Sequence, residues 1–275
     1  MAGSIESVIN QTYRNWELII VNDCSTDDTL EIAQSYQRKD PRIRVFCNEK
    51  NLKLPLTLNA GFAQAKGEYY TWTSDDNLYK PEALSRLAWE LDQDSSCAMV
   101  YSDCIDIDAN GKEISSATRM EPEYLVFGNV IGASFLYRAE VAKKVGTYDA
   151  NLFLAEDYDY WMRIYRVGKI KHIKEFLYQY RRHAGSLSAT KKAAINTQTY
   201  RALEKNFLPL YMDAKKHGLE HVLFDHMLRR VADDQREETL RTLCSINRRY
   251  MAHLLKVSLK EKLAASKTVK GNAKS

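Results

Sequence analysis

Apolar positions along the chain fall in short dense runs separated by amphipathic stretches. The β-branched run WELIIVN, Trp16–Asn22, stops at Asp23, the pattern of a strand buried on both faces. Ser25 to Asp28 and Asp28 to Glu31 have capping-box spacing ahead of TLEIAQSYQRK, so a helix is expected there. RIRVFC reads as the next strand, LPLTLNAGFAQAKG as a helix stopped by Gly67, YYTWTS as a third strand, PEALSRLAWELDQD as a third helix and CAMVYSD as a fourth strand. Strand and helix alternating at such short intervals predict βαβ units, and hence an α/β fold with a mostly parallel sheet flanked by helices. Further on, ASFLYR reads as a strand, AEVAKKVG as a short helix ending at Gly146, and EDYDYWMRIYRVG as a helix. From Thr190 the chain is amphipathic helix. A helix, SIESVINQ, precedes the first strand, and nothing before Ser4 supplies the strand that such a helix normally follows.

In parallel sheets ligands bind outside the carboxyl ends of the strands. Acids stand at these ends: Asp23, the adjacent pair Asp75 and Asp76, and Asp103. Capping or turn roles account for Asp27 and Asp28 and are expected for Asp103 as well. Side by side, Asp75 and Asp76 repel and raise each other's pKa unless a cation is present. Capping explains one of them at most, so a divalent metal holding a diphosphate is expected at this pair. Glu156, Asp157 and Asp159 occupy the first turn of a helix, where the helix dipole already favours them.

At 275 residues, 45% hydrophobic and 28% charged, the chain can bury one substantial core, as one large domain or one plus an appendage. Much of the net charge of +4 lies in the tail, where Lys256, Lys260, Lys262, Lys267, Lys270 and Lys274 face only Glu261. That tail reads as a solvated end, with contact to an anionic membrane surface as the minority alternative. The basic residues form no aromatic-interleaved stripe, which disfavours nucleic acid. The cysteines Cys24, Cys47, Cys97, Cys104 and Cys244 are odd in number and scattered, so a reduced, cytoplasmic compartment is expected. No apolar run approaches the ~18 residues that span a bilayer, and MAGSIESV has neither the basic start nor the apolar core of a signal peptide. Peripheral contact with the inner face of the membrane stays open; integral insertion is not expected.

The segments SIESVINQTYRNWELIIVNDCSTDDT, NAGFAQAKGEYYTWTSDDNLYKPEAL, AEDYDYWMR and YRRHAGSLS resemble, in that order, the family 2 inverting glycosyltransferases with the GT-A fold. The resemblance covers residues 4 to 188 and departs from the pattern at the start, where relatives open with an apolar strand. It implies a GT-A domain over 1–188, lacking that first strand, and a helical extension with a basic tail over 189–275. It implies that Asp23 recognises the donor base, usually uracil. The D-x-D-type motif falls on Thr73 to Asp76, with Thr73 where the commoner pattern has an acid; Asp75 is then near the ribose and Asp76 on Mg2+ or Mn2+. Hard oxygen ligands, few in number, suit such an ion because phosphates and water complete its shell. Asp157 matches the base that takes the acceptor hydroxyl proton, with Glu156 beside it as the alternate.

His183 matches a histidine that helps hold the metal or the leaving phosphate, although packing alone would also explain it. Arg181 and Arg182 either assist that phosphate or are simply exposed. Lys53, where many relatives have Gly, either reaches the nucleotide or diphosphate or is a solvated loop lysine. Tyr158, Tyr160 and Trp161 read as core or as an acceptor wall. The function so implied is metal-dependent inverting transfer of a sugar in polysaccharide biosynthesis, from a nucleotide diphosphate sugar, foremost a UDP-sugar. The acceptor is a hydroxyl of a glycan or lipid-linked saccharide, and pairing of subunits through the helical tail stays open. A non-catalytic nucleotide-sugar or glycan-binding relative is the alternative. A metal-dependent nucleotidyltransferase would need a Gly-rich phosphate loop that NDCSTDD does not offer.

Overall fold

A computed structural model describes residues 1–216, 218, 220, 222 and 223. The expected helices beyond this point, Cys244 and the lysine tail lie outside the described residues. The chain divides into two units, Met1–Leu203 and a second beginning at Glu204.

The first unit opens with helix α1 (Ala2–Ile9), then β1 (Leu18–Asn22), α2 (Thr29–Gln37), β2 (Ile43–Cys47) and α3 (Lys53–Phe62). The short strands β3 (Tyr69–Tyr70) and β4 (Leu78–Tyr79) follow, then α4 (Ala83–Gln93), β5 (Cys97–Ile107), β6 (Glu113–Ala117), β7 (Phe135–Arg138) and α5 (Ala139–Val145). Helix α6 (Glu156–Tyr165), the long strand β8 (Lys169–Arg181), the short α7 (Leu187–Thr190) and α8 (Lys192–Lys216) complete the order. Among the described residues no helix is long and apolar enough to cross a membrane.

β1 and β2 pair in parallel. The remaining strands form a second sheet in the order β3-β7-β5-β8-β4, with β6 on β5. The α/β architecture is as expected, but the sheet is mixed. Parallel pairing holds for β1–β2 and β5–β8, whereas β3–β7, β5–β7, β5–β6 and β4–β8 are antiparallel. The connections explain this. The turn Asp108–Lys112 is too short for a crossover and folds β6 back on β5, its ends joined by Asp108 N–H to the Lys112 carbonyl at 2.8 Å. Among the described residues no strand is hydrogen-bonded between β1 and the larger sheet.

The run YYTWTS leaves the sheet after Tyr70. Thr71 Oγ1 meets Tyr79 OH at 3.0 Å, and Trp72 Nε1 donates to Tyr148 OH at 3.1 Å. These side-chain tethers replace ladder hydrogen bonds, so Thr71–Asn77 becomes a fixed loop. Asp28 stands at the N-cap of α2 without a side-chain cap bond, and Asp27 Oδ1 accepts from Thr29 N at 3.1 Å instead.

Helix α4 buries Leu84, Leu87, Ala88 and Leu91 against Val100, Leu136, Ile173 and Leu177 of the sheet. On the other side Trp161, Tyr158, Tyr137 and Phe135 are buried. Tyr158, Tyr160 and Trp161 are therefore core residues, no more than 2% exposed.

Several polar side chains fasten helix α1, Ser4 to the Ser74 carbonyl, Ser7 to Tyr79 N and, just past its end, Gln11. Gln11, fully buried, donates to the carbonyls of Ser7 and Lys80 at 2.9 and 2.7 Å and accepts from Leu84 N at 2.9 Å. Gln11→Ala strands two of these backbone groups away from water, and a loss of about 1–3 kcal/mol is expected in urea denaturation; a change below ~0.5 kcal/mol would show that α1 does not depend on it.

Candidate active site

Asp75 and Asp76 lie in the loop after β3, Arg181 ends β8 and His183 follows it, Lys53 starts α3, and Glu156 and Asp157 open α6. Asp23 follows β1. Its Oδ1 accepts from Asn48 Nδ2 and Leu52 N, each at 2.8 Å, and its Oδ2 from Lys53 N at 2.9 Å. Burial opposes its ionisation, but these donors outweigh burial and hold the carboxyl below its usual range. Asp23 therefore shapes the 48–53 loop, so any ligand here meets a carboxylate already fixed in place.

Lys53 starts α3 with φ 64°, left-handed backbone that suits glycine. Its Nζ lies 5.5 Å from the Phe153 ring centroid, so it faces the segment leading to Glu156. Across the described residues the non-glycine positions with positive φ are Cys24, Lys53 and Leu154 (φ 80°). All adjoin or include site residues, where strain of this kind gathers.

Asp75 is exposed. Asp76 Oδ2 lies 2.9 Å from His183 Nε2, so the two residues matched to the metal meet across 107 positions of sequence. Antiparallel pairing of Leu78 with Gln179 and parallel pairing of Ile107 with Arg181 bring them there. Arg181 braces the arrangement. Its Nε donates to the Asp76 carbonyl at 2.8 Å, its Nη1 to the carbonyls of Asp108 and Ala109 at 2.9 Å, and its N–H to Asn77 Oδ1 at 2.8 Å. The guanidinium is thus committed to main-chain oxygens. Arg182 pairs with Asp106 at 3.0 Å.

The donor set suits a small divalent ion. A carboxylate and an imidazole bind Mg2+ or Mn2+ only weakly by themselves, and no group of three or more potential protein ligands occurs among the described residues. Such a pair fits an ion whose shell is completed by phosphate oxygens and water.

Glu156 and Asp157 open α6. Glu156, 4% exposed, accepts from Leu154 N at 2.7 Å through Oε2. Burial, reinforced by the Asp157 charge, pushes its carboxyl up to about 7. Asp157 is also raised by burial, against hydrogen bonds from Tyr158 N and from Asn129 Nδ2 at 2.7 and 2.8 Å. A carboxylate poised in this way is a better base than an exposed one. Tyr70 pairs with Tyr137, so the loop beyond β3 runs towards the amino end of β7, where the segment carrying Asn129 arrives.

Tyr148 was not singled out in the sequence, and Asn59 only stood at the start of a segment resembling the family, with no role of its own. Asn59 and the Tyr148 backbone exchange hydrogen bonds at 2.9 and 2.8 Å, the Tyr148 hydroxyl receives Trp72, and its ring stacks on Tyr160 at 4.0 Å. One residue thus touches α3, the Asp76 loop and α6. Asp103, expected as a cap or turn, is instead 2% exposed within β5. Its Oδ1 is 2.8 Å from His172 Nε2 and accepts from Arg119 N at 2.7 Å; partners inside the sheet replace the helix terminus that a cap would serve.

The model of glycosyl transferase family 2 matches residues 1–146. The chain belongs to this family. An uncharacterized glycosyltransferase of Rickettsia typhi is 32% identical over 219 residues, covering 76% of this chain and 67% of the relative. Two other relatives are longer, and the chain spans 23% and 31% of their lengths. Among solved structures, S. aureus TarS 1–349 in complex with UDP superposes with a TM-score of 0.63 at 18% identity, over 86% of this chain and 73% of that one. Mannosyltransferase PcManGT from Pyrobaculum calidifontis, in complex with GDP-Man and Mn2+, superposes with a TM-score of 0.59 at 15% identity, over 94% and 75%. The fold of this family 2 member is GT-A.

Because the folded protein holds the Glu156 proton more tightly than an unfolded chain does, this residue makes stability fall as pH rises from 4.5 to about 7. Glu156→Gln should remove that fall and leave the variant more stable than the parent above pH 7. Urea midpoints at pH 5 and pH 8 test this; an equal drop in both proteins would contradict it.

Proposed function

We propose that the chain transfers a sugar from a nucleotide diphosphate sugar, foremost a UDP-sugar, to a hydroxyl of a glycan or lipid-linked saccharide, with inversion and with Mg2+ or Mn2+. The observation that carries this reading is the contact of Asp76 with His183 at the same end of the sheet as the Asn129-held Asp157. Family membership and the nucleotide-bound state of the TarS and PcManGT structures support the donor class.

In this reading Asp23 meets the base, Asp75 the ribose, and Asp76 with His183 the ion. The ion, when bound, offsets negative charge developing on the diphosphate. Asp157 takes the acceptor proton at a carboxylate oxygen, and Asn129 keeps that carboxylate oriented. Glu156 is buried beside it. With a pKa of about 7 it is largely protonated below neutrality, which limits like-charge repulsion at Asp157 and lets Asp157 stay ionised. A single base and no covalent intermediate give inversion. Arg181 acts through the Asp76 main chain, and Lys53 lies on the rim with Phe153.

Thermal-shift titration with Mn2+ and UDP, GDP, dTDP or CDP tests the donor assignment. One nucleotide is expected to raise Tm, only in the presence of metal. Asp76→Asn should weaken that nucleotide's binding more than ~10-fold. Asp157→Asn should leave binding intact while transfer falls by about 10²–10⁴. Near-normal transfer by Asp157→Asn would refute the base assignment, and metal-dependent binding that is blind to both variants, with no turnover, would favour a non-catalytic binding protein.

A further inference from the structure

We propose that Arg119 is a diphosphate-binding residue of this site, its guanidinium closing on the phosphate oxygens of the donor from the side opposite Asp76 and His183. The proposal rests on the donor reading above.

Arg119 lies between β6 and β7, in a stretch with no chemical motif. Its backbone is fixed, since Arg119 N donates to the buried Asp103 carboxylate at 2.7 Å. Its side chain lies beside the Cys104 thiol. Cys104 pairs across β5 and β8 with Tyr178, and the Tyr178 hydroxyl meets Thr73 Oγ1 at 2.5 Å. The guanidinium is thus tied through two residues to the loop that carries Asp76.

Its other side rests on the loop that leads to the base. A Cβ added at Gly132 would stand 2.7 Å from Arg119 Cζ and 2.8 Å from Nη2, and Gly132 itself has φ +74°. A side chain here would push the guanidinium aside, and glycine adopts this backbone without strain. Gly132 lies three positions after Asn129, which holds Asp157. A cation is therefore packed between Cys104 of the sheet and the segment that orients Asp157.

Beyond its hydrogen bond to the Cys104 thiol, that cation is not spent on the fold. No ion pair engages it among the described residues, and its Nε is buried with no hydrogen-bond partner. Arg138, Arg163 and Arg181 illustrate the contrast, since each donates to main-chain carbonyls. A partly buried guanidinium with no counter-charge is unfavourable unless an anion arrives, and its planar fork matches phosphate oxygens.

Isothermal titration of Mn2+-loaded protein with UDP, UMP and inorganic pyrophosphate tests the proposal. Arg119→Gln should weaken UDP and pyrophosphate binding by about 10- to 100-fold and UMP binding by less. Arg119→Lys, which keeps the charge without the fork, should fall between the parent and Arg119→Gln. Unfolding midpoints measured alongside separate a loss of contact from a loss of fold. Parent binding that Arg119→Gln leaves unchanged, at unchanged stability, would overturn the Arg119 assignment and leave the donor reading standing. Failure of the parent itself to bind either UDP or pyrophosphate would overturn both.

Discussion

Parallel pairing of β5 with β8 runs from Cys97↔Lys169 to Ile107↔Arg181 and fixes where the candidate site is assembled. Because the two strands travel in the same direction, the chain leaving β8 at Arg181 and His183 emerges beside the turn that follows β5. Antiparallel pairing of β4 with β8 adds the third component, since Leu78 sits opposite Gln179 and so brings Asp76 within reach of His183. The register is irregular at Ser102 and Asp103, and there Asp103 accepts from both Arg119 N and His172 Nε2. A register slip of one residue along β8 would turn every side chain to the opposite face and carry His183 away from Asp76.

Around that scaffold the polar groups divide by whether their hydrogen bonds are already satisfied. Asp23, Arg181 and Asp103 spend theirs on backbone groups or a buried partner, which makes them positioning elements first. Asp75, Asp76, His183 and the Arg119 guanidinium retain capacity for a ligand. Strained backbone follows the same division. Cys24, Lys53 and Leu154 hold left-handed conformations that L-residues normally avoid, each costing of order 1–3 kcal/mol. In two cases a site carboxylate holds the strained peptide, Lys53 N on Asp23 and Leu154 N on Glu156.

Much of this was legible in the sequence, for identifiable reasons. Strand β1 and helices α2, α3 and α4 have hydrophobic periods that agree with their environment, so their order could be read directly. The meeting of Asp76 with His183 was anticipated only through the resemblance of four short segments to a family. Strand β8 escaped because KIKHIKEFLYQYR interleaves lysines with apolar residues, and its register depends on β5, far away in the chain. The early end of β3 escaped because Trp72 and Tyr148, 76 positions apart, divert the run into a loop. Asn129, Tyr148 and Arg119 carry no local signal at all. Their roles exist only through partners distant in sequence.

The central claim is that Asp76 and His183 together hold a divalent ion on a nucleoside diphosphate at the end of β3 and β8. Anomalous scattering from Mn2+ in crystals grown with UDP tests it most directly. The account predicts one strong peak within coordination distance of Asp76 Oδ2 and His183 Nε2 and in contact with phosphate oxygens. A peak bound elsewhere, or ordered UDP at this end of the sheet with no metal beside Asp76, would contradict it.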